Sequence, residues 1–319
     1  MRSRLFILLA CALFSCVAAA ETYPRRPVRL IVPFSPGGLG DVLARAISHK
    51  LSETLGQQFV IDLRPGAGGN VGADIAAGAV PDGYTLLVIA TSHAINMSLY
   101  AKPSYDVVRD FSTVSLFGTA PHVLVVSPSV AATSVQDLIA LARANPGKLN
   151  MASSGNGSAG HLTGEKFKIR AGINVVHVPY KGGAPAALDL IAGRVQFFFD
   201  NIAPAMAHLK AGKMRALATT SAKRLSLLPE LPTMIESGLP DFVATSWIGV
   251  ITPAGTPGPV IVKLNGAIVD AVKVQAVKDQ LARQGVDAIS SSPDEFKIFL
   301  QQEVTQWASV VKSSGARVD

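Results

Sequence analysis

The sequence predicts an α/β protein of two domains with a cleft between them. Short apolar runs alternate with segments whose apolar residues recur at helical spacing, and a length of 319 residues is enough for about two domains. The short runs are apolar throughout, which is typical of strands in parallel sheets that are covered on both faces. Two segments, 118–122 and 239–247, interrupt the alternation and are predicted to cross between the domains. We therefore predict that residues 122–247 form a domain inserted into another made of residues 21–121 and 248–319.

The predicted strands are the apolar runs in this alternation. They lie at residues 28–34, 59–63, 85–90, 123–127, 149–153, 174–178, 195–199 and 215–219. After the first of these runs, apolar residues at helical spacing predict a helix. The residues on its apolar face are Leu39, Val42, Leu43, Ala46, Ile47, Leu51 and Leu55.

Capping residues predict where later helices begin. Ser134 is a candidate N-cap, with Asp137 three residues on, and Ser292 begins a second capping box. Thr256 precedes Pro257, a residue favoured at the first position of a helix. The last helix carries an apolar stripe, which predicts that it packs on the core. The stripe consists of Phe296, Phe299, Leu300, Val304, Trp307, Val310 and Val311.

The first twenty residues have the pattern of a secretory signal peptide. Arg2 and Arg4 precede an apolar stretch that ends in three alanines, so cleavage is predicted after Ala20. Cys16 lies in a loose lipobox context, which leaves lipidation there as an alternative. Because Cys11 is the only other cysteine, the mature chain is expected to contain no disulfide, no thiol nucleophile and no cysteine metal site.

The composition of the mature chain limits its partners. Hydrophobic residues make up 49% of the sequence and charged residues 16%, values typical of a globular protein. Loss of Arg2 and Arg4 lowers the formal net charge from +7 to +5. No later apolar run approaches the length of a membrane span, so the mature protein is expected to be soluble. No run of lysine and arginine with interleaved aromatic residues is present, which argues against nucleic-acid binding.

Three strand-to-helix turns are rich in small residues. They are residues 33–41 ("PFSPGGLGD"), 90–93 ("ATSH") and 154–161 ("SGNGSAGH"). In an open parallel sheet, ligands bind outside the carboxyl ends of the strands, where helix N-termini present free N–H groups. Two such turns that face each other across a cleft would suit a carboxylate or a dicarboxylate. The alternative is that glycine and serine here simply form turns and caps.

The third turn also contains G-x-G-x-x-G, formed by Gly155, Gly157 and Gly160. A dinucleotide site needs an acidic residue about 20 positions later at a strand end, but the next predicted strand is followed by Pro-Tyr-Lys. The nucleotide interpretation is therefore disfavoured. A lipase-type G-x-S-x-G fails because Asn156 stands two residues before Ser158. An exported hydrolase using Ser158, His161 and a distant aspartate stays open, without support from the spacing.

Several single residues near these turns have two interpretations each. His161 and His93 could donate to an anion or serve as caps or core histidines. His177 alternates within a predicted strand, which favours the core. Asp200 ends a predicted strand and could bind a ligand amine or cap the next helix. Asp41 lies in the first turn of its helix, where a carboxylate is favourable whatever the function. No histidine spacing indicates a metal site.

The sequence resembles the substrate-binding proteins of tripartite tricarboxylate transporters, the Bug or TctC-type family. The resemblance covers essentially the whole mature chain and rests on several long motifs in the same order. These are "YPRRPVRLIVPFSPGGLGDVLAR", "RPGAGGNVGAD", "PDGYTLL", "ASSGNGSAGHL", "VPYKGGAPAALDLIAGRVQFFFD" and "SWIGVITPAGTP".

This resemblance implies a periplasmic binding protein of the type II class, a Venus-flytrap of two α/β domains with a hinged cleft. It implies no catalysis, no cofactor and no metal. The implied ligand is a small carboxylate, such as a dicarboxylate, a tricarboxylate, an acidic amino acid or an aromatic acid. The implied partner is a membrane transporter of the tripartite tricarboxylate type, or alternatively a sensor kinase, and the protein is expected to be a monomer.

The resemblance also implies which residues hold the ligand, with the carboxylate bound by the two glycine-rich turns and captured by domain closure. The residues that match the family's binding elements, or lie within them, come from five segments of the chain. They are Phe34, Ser35, Gly37, Gly38 and Asp41; Thr91, Ser92 and His93; Ser154, Gly155, Asn156, Gly157, Ser158 and His161; Tyr180; and Asp200.

Overall fold

The computed structural model describes residues 23–36, 39–225 and 227–318. The predicted signal peptide with its two cysteines, and the predicted ligand residues Gly37 and Gly38, lie outside these ranges. Within the described ranges, no helix combines the length and the apolar character that crossing a bilayer requires.

The described residues form ten strands and ten α-helices. The strands are β1 (Val28–Val32), β2 (Phe59–Leu63), β3 (Thr85–Ala90), β4 (Phe111–Val126), β5 (Asn150–Ser153), β6 (Val176–Pro179), β7 (Phe197–Asn201), β8 (Arg215–Thr219), β9 (Thr245–Pro253) and β10 (Asp287–Ala288). The helices are α1 (Leu39–Leu55), α2 (Asn70–Ala77), α3 (Thr91–Leu99), α4 (Val135–Ala144), α5 (Ala159–Ala171), α6 (Gly183–Ile191), α7 (Ile202–Lys210), α8 (Gly258–Lys273), α9 (Gln275–Arg283) and α10 (Pro293–Ser314).

The strands form one curled sheet in the order β2-β1-β3-β9-β4-β7-β5-β6, with β8 and β10 paired to β4. Strands β1, β2 and β3 are parallel, as are β5, β6 and β7. The prediction of parallel sheets is wrong for β4 and β9, which run antiparallel to each other and to their other neighbours. An apolar run indicates burial on both faces but carries no information about direction. A strand that leaves one half of the molecule and a strand that returns to it must run in opposite directions.

Strand β4 belongs to both halves of the sheet. Its residues from Phe111 to Pro121 pair with β9, and those from His122 to Val126 pair with β7. The strand begins twelve residues earlier than the predicted run 123–127, and the predicted crossing segment 118–122 lies inside it. The change of partner coincides with the predicted domain boundary, and the domain division itself stays a prediction.

The apolar stripe of α10 packs against the core as predicted. Phe296, Leu300 and Trp307 on this helix are buried. The ring of Phe296 meets the edge of Trp247 on β9 at a centroid distance of 5.9 Å. The indole N–H groups of Trp247 and Trp307 both donate to Glu303 Oε2, at 2.6 and 2.9 Å. Burial raises the pKa of Glu303, and the two indole donors oppose that shift. Helix α10 therefore holds β9 in place.

Candidate functional site

The turn from β1 to α1 contributes one aromatic ring and one buried acid. The ring of Phe34 is half-buried, whereas Ser35 is exposed. Asp41 is buried, and its Oδ1 lies 2.8 Å from Nε of Arg45, one helical turn later. The Asp41 carboxylate therefore has a cationic partner within its own helix. Its role towards a ligand stays a prediction.

The turn from β3 to α3 is braced by its own side chains. The N–H of Ala90 donates to His93 Nδ1 at 3.2 Å, so the imidazole serves as a cap for the helix. The ring of His93 is fully buried, and a Cβ on Gly69 would lie only 2.8 Å from its Nε2. Burial lowers the pKa of His93 to about 4, which leaves it neutral at pH 7. Thr91 Oγ1 accepts from the N–H of Trp247 at 3.0 Å, so the half-exposed hydroxyl of Ser92 is the side chain of this turn that is open to a ligand.

The glycine-rich turn from β5 to α5 is folded by a similar pair of caps. Ser158 Oγ accepts from the N–H of His161 at 3.2 Å, and His161 Nδ1 accepts from the N–H of Gly157 at 3.1 Å. Gly155 and Gly157 have φ values of 137° and 75°, which favour glycine. Asn156 at the tip is exposed, and Ser154 and Ser158 are half-buried. Because the Ser158 hydroxyl serves as the cap, Asn156 and Ser154 are the side chains of this turn that stay open to a ligand.

Gly160 allows α5 to approach the sheet. A Cβ at this position would lie 2.6 Å from the carbonyl oxygen of Phe199 on β7, an atom fixed in the ladder. We expect Gly160→Ala to lower the free energy of unfolding by about 1–3 kcal/mol, because the helix must shift to relieve the overlap. Gly266→Ala is the matched control: Gly266 lies inside α8, nothing is within 4 Å of its Cβ position, and about 0.8–1.0 kcal/mol of stabilisation is expected. Urea unfolding of both variants measures this, and equal effects would contradict it.

The side chains of Ser158 and His161 do not form a hydrolytic pair. The hydroxyl bonds the backbone of His161, and the imidazole turns towards Gly157 and stacks on His177 at a centroid distance of 3.8 Å. Burial, and then the charge of the neighbouring imidazole, lowers the pKa of His161 to about 3. A general base acts best with a pKa near the operating pH, so this imidazole is unsuited to activate a serine.

Tyr180, which follows β6, and Asp200, near the end of β7, also accept or donate hydrogen bonds within the protein. The hydroxyl of Tyr180 donates to Asp189 Oδ2 at 2.8 Å, which turns it towards α6. Asp200 is 3% exposed, and its Oδ1 accepts from the N–H of Asn201 at 2.8 Å. Its Oδ2 has no hydrogen-bond partner within the described part of the chain. Burial raises the pKa of Asp200 to about 7.

A cavity of about 260 Å³ lies beside the crossing strands. Segments of both predicted domains line it: the start of α1 and the end of β3, the middle of β4, the end of β7, and β9. Of the predicted site residues, the structure places Phe34 on its wall. Asn156 and His161 instead line a different cavity of about 290 Å³, beside Leu99 and the segment after α10.

Sequence reasoning missed most of the cavity lining. Asn201, Trp247 and the segment 118–120 line it. The available signal was position, since 118–120 and Trp247 lie in the two segments predicted to cross between domains, and crossing strands form the floor of a cleft. Within the described residues, no group of three or more histidine, cysteine, aspartate or glutamate residues could hold a metal ion.

Comparison with known proteins now identifies the family. Residues 43–316 match the family described as "Tripartite tricarboxylate transporter family receptor", TctC. The chain belongs to the TctC family. Protein BugT of Bordetella pertussis is 40% identical to this TctC protein over 314 residues, which cover 98% of this chain and 96% of BugT.

Solved structures of relatives have the same fold. Rpa4515 of R. palustris, determined with adipate, is 39% identical and superposes with a TM-score of 0.82 over 93% of this chain and 100% of that one. MatC of Rhodopseudomonas palustris, determined with bound malate, is 31% identical, with a TM-score of 0.79 over 91% and 100% of the two chains. The periplasmic binding protein BugD is 33% identical, with a TM-score of 0.79 over 92% and 99%.

The family and the geometry together settle the class of activity. This TctC protein has the fold of a two-domain binding protein, and its family consists of solute-binding receptors. It is a receptor and not an enzyme. The serine hydrolase alternative is wrong, which agrees with the separate hydrogen bonds of Ser158 and His161.

Proposed function

We propose that this TctC protein is a periplasmic receptor that captures a small carboxylate between two domains and delivers it to a tripartite tricarboxylate-type membrane transporter. The observation that carries the proposal is the set of helix N-termini at the carboxyl ends of the strands. Helices α1, α3 and α5 each begin within seven residues of the end of β1, β3 and β5. Free N–H groups and the helix dipole at such ends favour an anion. The adipate and malate in Rpa4515 and MatC support a carboxylate.

In this proposal the hydroxyls of Ser92 and Ser154 add to the backbone donors. Both side chains are half-buried, and they lie at the start of α3 and after β5, in different predicted domains. A carboxylate that bridges them favours the closed arrangement, because it contacts both sides only there. The ligand shifts the population only as far as its affinities for the open and closed forms differ. The predicted site residues Ser35, Gly37 and Gly38 belong to the same proposal.

A ligand screen tests the proposed function. Mature protein, unfolded and refolded to remove any bound solute, is heated with adipate, malate, benzoate or glutamate. At 100 times its dissociation constant a ligand stabilises the folded state by about 2.7 kcal/mol, so at least one of these acids is expected to raise the melting temperature by several degrees. Unchanged melting with every carboxylate would contradict the proposal.

A pair of serine variants on one helix tests the binding geometry. Ser92→Ala removes a hydroxyl at the start of α3, and Ser98→Ala removes one from the last turn of the same helix; both serines are half-buried. A hydrogen bond to a charged group is worth about 1.5–3 kcal/mol, so Ser92→Ala is expected to weaken the acid identified in the screen by tenfold or more. Calorimetric titration should show wild-type affinity for Ser98→Ala. Equal affinities in the two variants would exclude Ser92 from the site.

A further inference from the structure

The cavity beside the crossing strands has an apolar wall. Seven of its lining residues have aliphatic or aromatic side chains, one of which is Ala90 at the end of β3. The others are Phe34, Leu43, Ala120, Trp247, Ile248 and Val286. The polar side chains that line it are those of Thr119, Asn201 and Ser246, which carry no charge. Among the described residues, no lysine, arginine or histidine lines this cavity.

The charged groups next to the lining residues in the chain are acids. Asp41 follows Gly40 of the lining, and Asp200 precedes Asn201; both carboxyls are buried. Arg45 is paired with Asp41, so its charge is already matched. The imidazole of His93 meets the ring of Phe34 at a centroid distance of 6.1 Å, but it is fully buried and neutral at pH 7. An anionic group that entered the cavity would therefore find no cation within it.

We propose that the ligand of this receptor carries one carboxylate and an uncharged apolar body, and that this body occupies the cavity. The inference rests on the proposed function, in which the helix N-termini hold the carboxylate. At about 30 Å³ for a water-sized group, 260 Å³ accommodates about nine non-hydrogen atoms. This size accommodates the hydrocarbon body of a six-carbon aliphatic acid or of a single-ring aromatic acid.

Two physical terms produce the selectivity. Each methylene group transferred from water to the apolar wall strengthens binding by about fourfold. A second carboxylate at the far end of the ligand would exchange its hydration for the neutral groups of Thr119, Asn201 and Ser246, without a cationic partner. A buried charge that is compensated only in this way costs more than a methylene group contributes. An ammonium group would lose hydration in the same way, because neither the carboxyl of Asp41 nor that of Asp200 lines the cavity.

Three acids with the same six-carbon chain test the inference. Hexanoate, adipate and 6-aminohexanoate differ only in the group at the far end, which is a methyl, a carboxylate and an ammonium. In calorimetric titrations of refolded mature protein, hexanoate is expected to bind at least tenfold more tightly than either of the others. If adipate or 6-aminohexanoate binds as tightly as hexanoate, or more tightly, the inference is overturned while the proposed function stands. If no carboxylate binds, the proposed function fails as well.

Variants of Phe34 locate the apolar body. Phe34→Ala removes one wall of the cavity and is expected to weaken hexanoate binding at least tenfold, whereas Phe34→Leu retains an apolar wall and is expected to stay within threefold of wild type. Gly40→Ala gives an independent route, because a Cβ on Gly40 would overlap the Phe34 ring and displace it. Wild-type hexanoate affinity in Phe34→Ala and Gly40→Ala would overturn the assignment of this cavity.

Discussion

Lowering the pH from 7 to 5 is expected to reduce the free energy of unfolding by about 4 kcal/mol through His93 and His122 alone. Both imidazoles are buried, and burial lowers the pKa of each to about 4 from the usual 6.5. The unfolded chain binds protons as the pH falls through 6.5, whereas the folded protein binds them only near pH 4. The stabilisation is therefore fully present above pH 6.5 and is lost as the pH falls towards 4. Each histidine contributes about 2 kcal/mol of this loss between pH 7 and 5.

Urea unfolding at pH 7, 6 and 5 measures the effect. The double variant His93→Asn, His122→Asn is expected to lose about 4 kcal/mol less than the wild type on acidification, because asparagine does not titrate. His49→Asn removes an imidazole that is 79% exposed and is the matched control. The same dependence on pH in the wild type and the double variant would show that these two imidazoles are not kept neutral by the fold.

Removing the buried carboxyl of Asp200 is expected to stabilise the protein above neutral pH. Asp200→Asn is expected to increase the free energy of unfolding at pH 8 by about 2 kcal/mol. Burial raises the pKa of Asp200 from 3.8 to about 7, so the folded state favours the neutral acid. Stability from this group is present below pH 3.8 and is lost as the pH rises through 7, at a total cost of about 4 kcal/mol. The asparagine amide removes that cost, but it leaves an unpaired donor in place of Oδ2. This unpaired donor reduces the stabilisation by about 1–3 kcal/mol.

The measurement is the difference in unfolding free energy between Asp200→Asn and wild type at several pH values. The difference is expected to grow in favour of the variant between pH 5 and 8. Asp189→Asn is the matched control, because Asp189 accepts from Tyr180 and Arg194, and these partners hold the pKa of its carboxyl below the usual range. A difference that does not change with pH would mean that the carboxyl of Asp200 ionises normally in the folded protein.

Elements fixed by local chemistry were predictable from the sequence. The capping boxes at Ser134 and Ser292 form as expected, because each needs only residues three positions apart. The direction of β4 and β9 was not predictable, since direction depends on which strand lies alongside. Strand β9 was interpreted only as a crossing segment up to Trp247, although it continues to Pro253.

The site was predictable only in part. The positions of the strand-to-helix turns follow from glycine, serine and the apolar runs before them. The contacts that the side chains of these turns make do not follow from the sequence, because they depend on residues that are distant in the chain. His93 packs against Gly69, and Tyr180 reaches Asp189. The place of Trp247 in a predicted crossing segment was a signal for the cavity, but the direction of its side chain was not predictable, since an apolar residue in a strand looks the same whether it faces core or ligand.

The continuity of β4 has a mechanical consequence. All sixteen residues from Phe111 to Val126 are in one strand, so movement of one half of the sheet relative to the other must bend or twist the ribbon that β4 forms with β9. This ribbon has two irregularities in register, between Thr113 and Ser115 and between Leu116 and Gly118, where bending is easiest. Any relative rotation of the two halves is therefore transmitted through this ribbon and concentrated at its two irregularities.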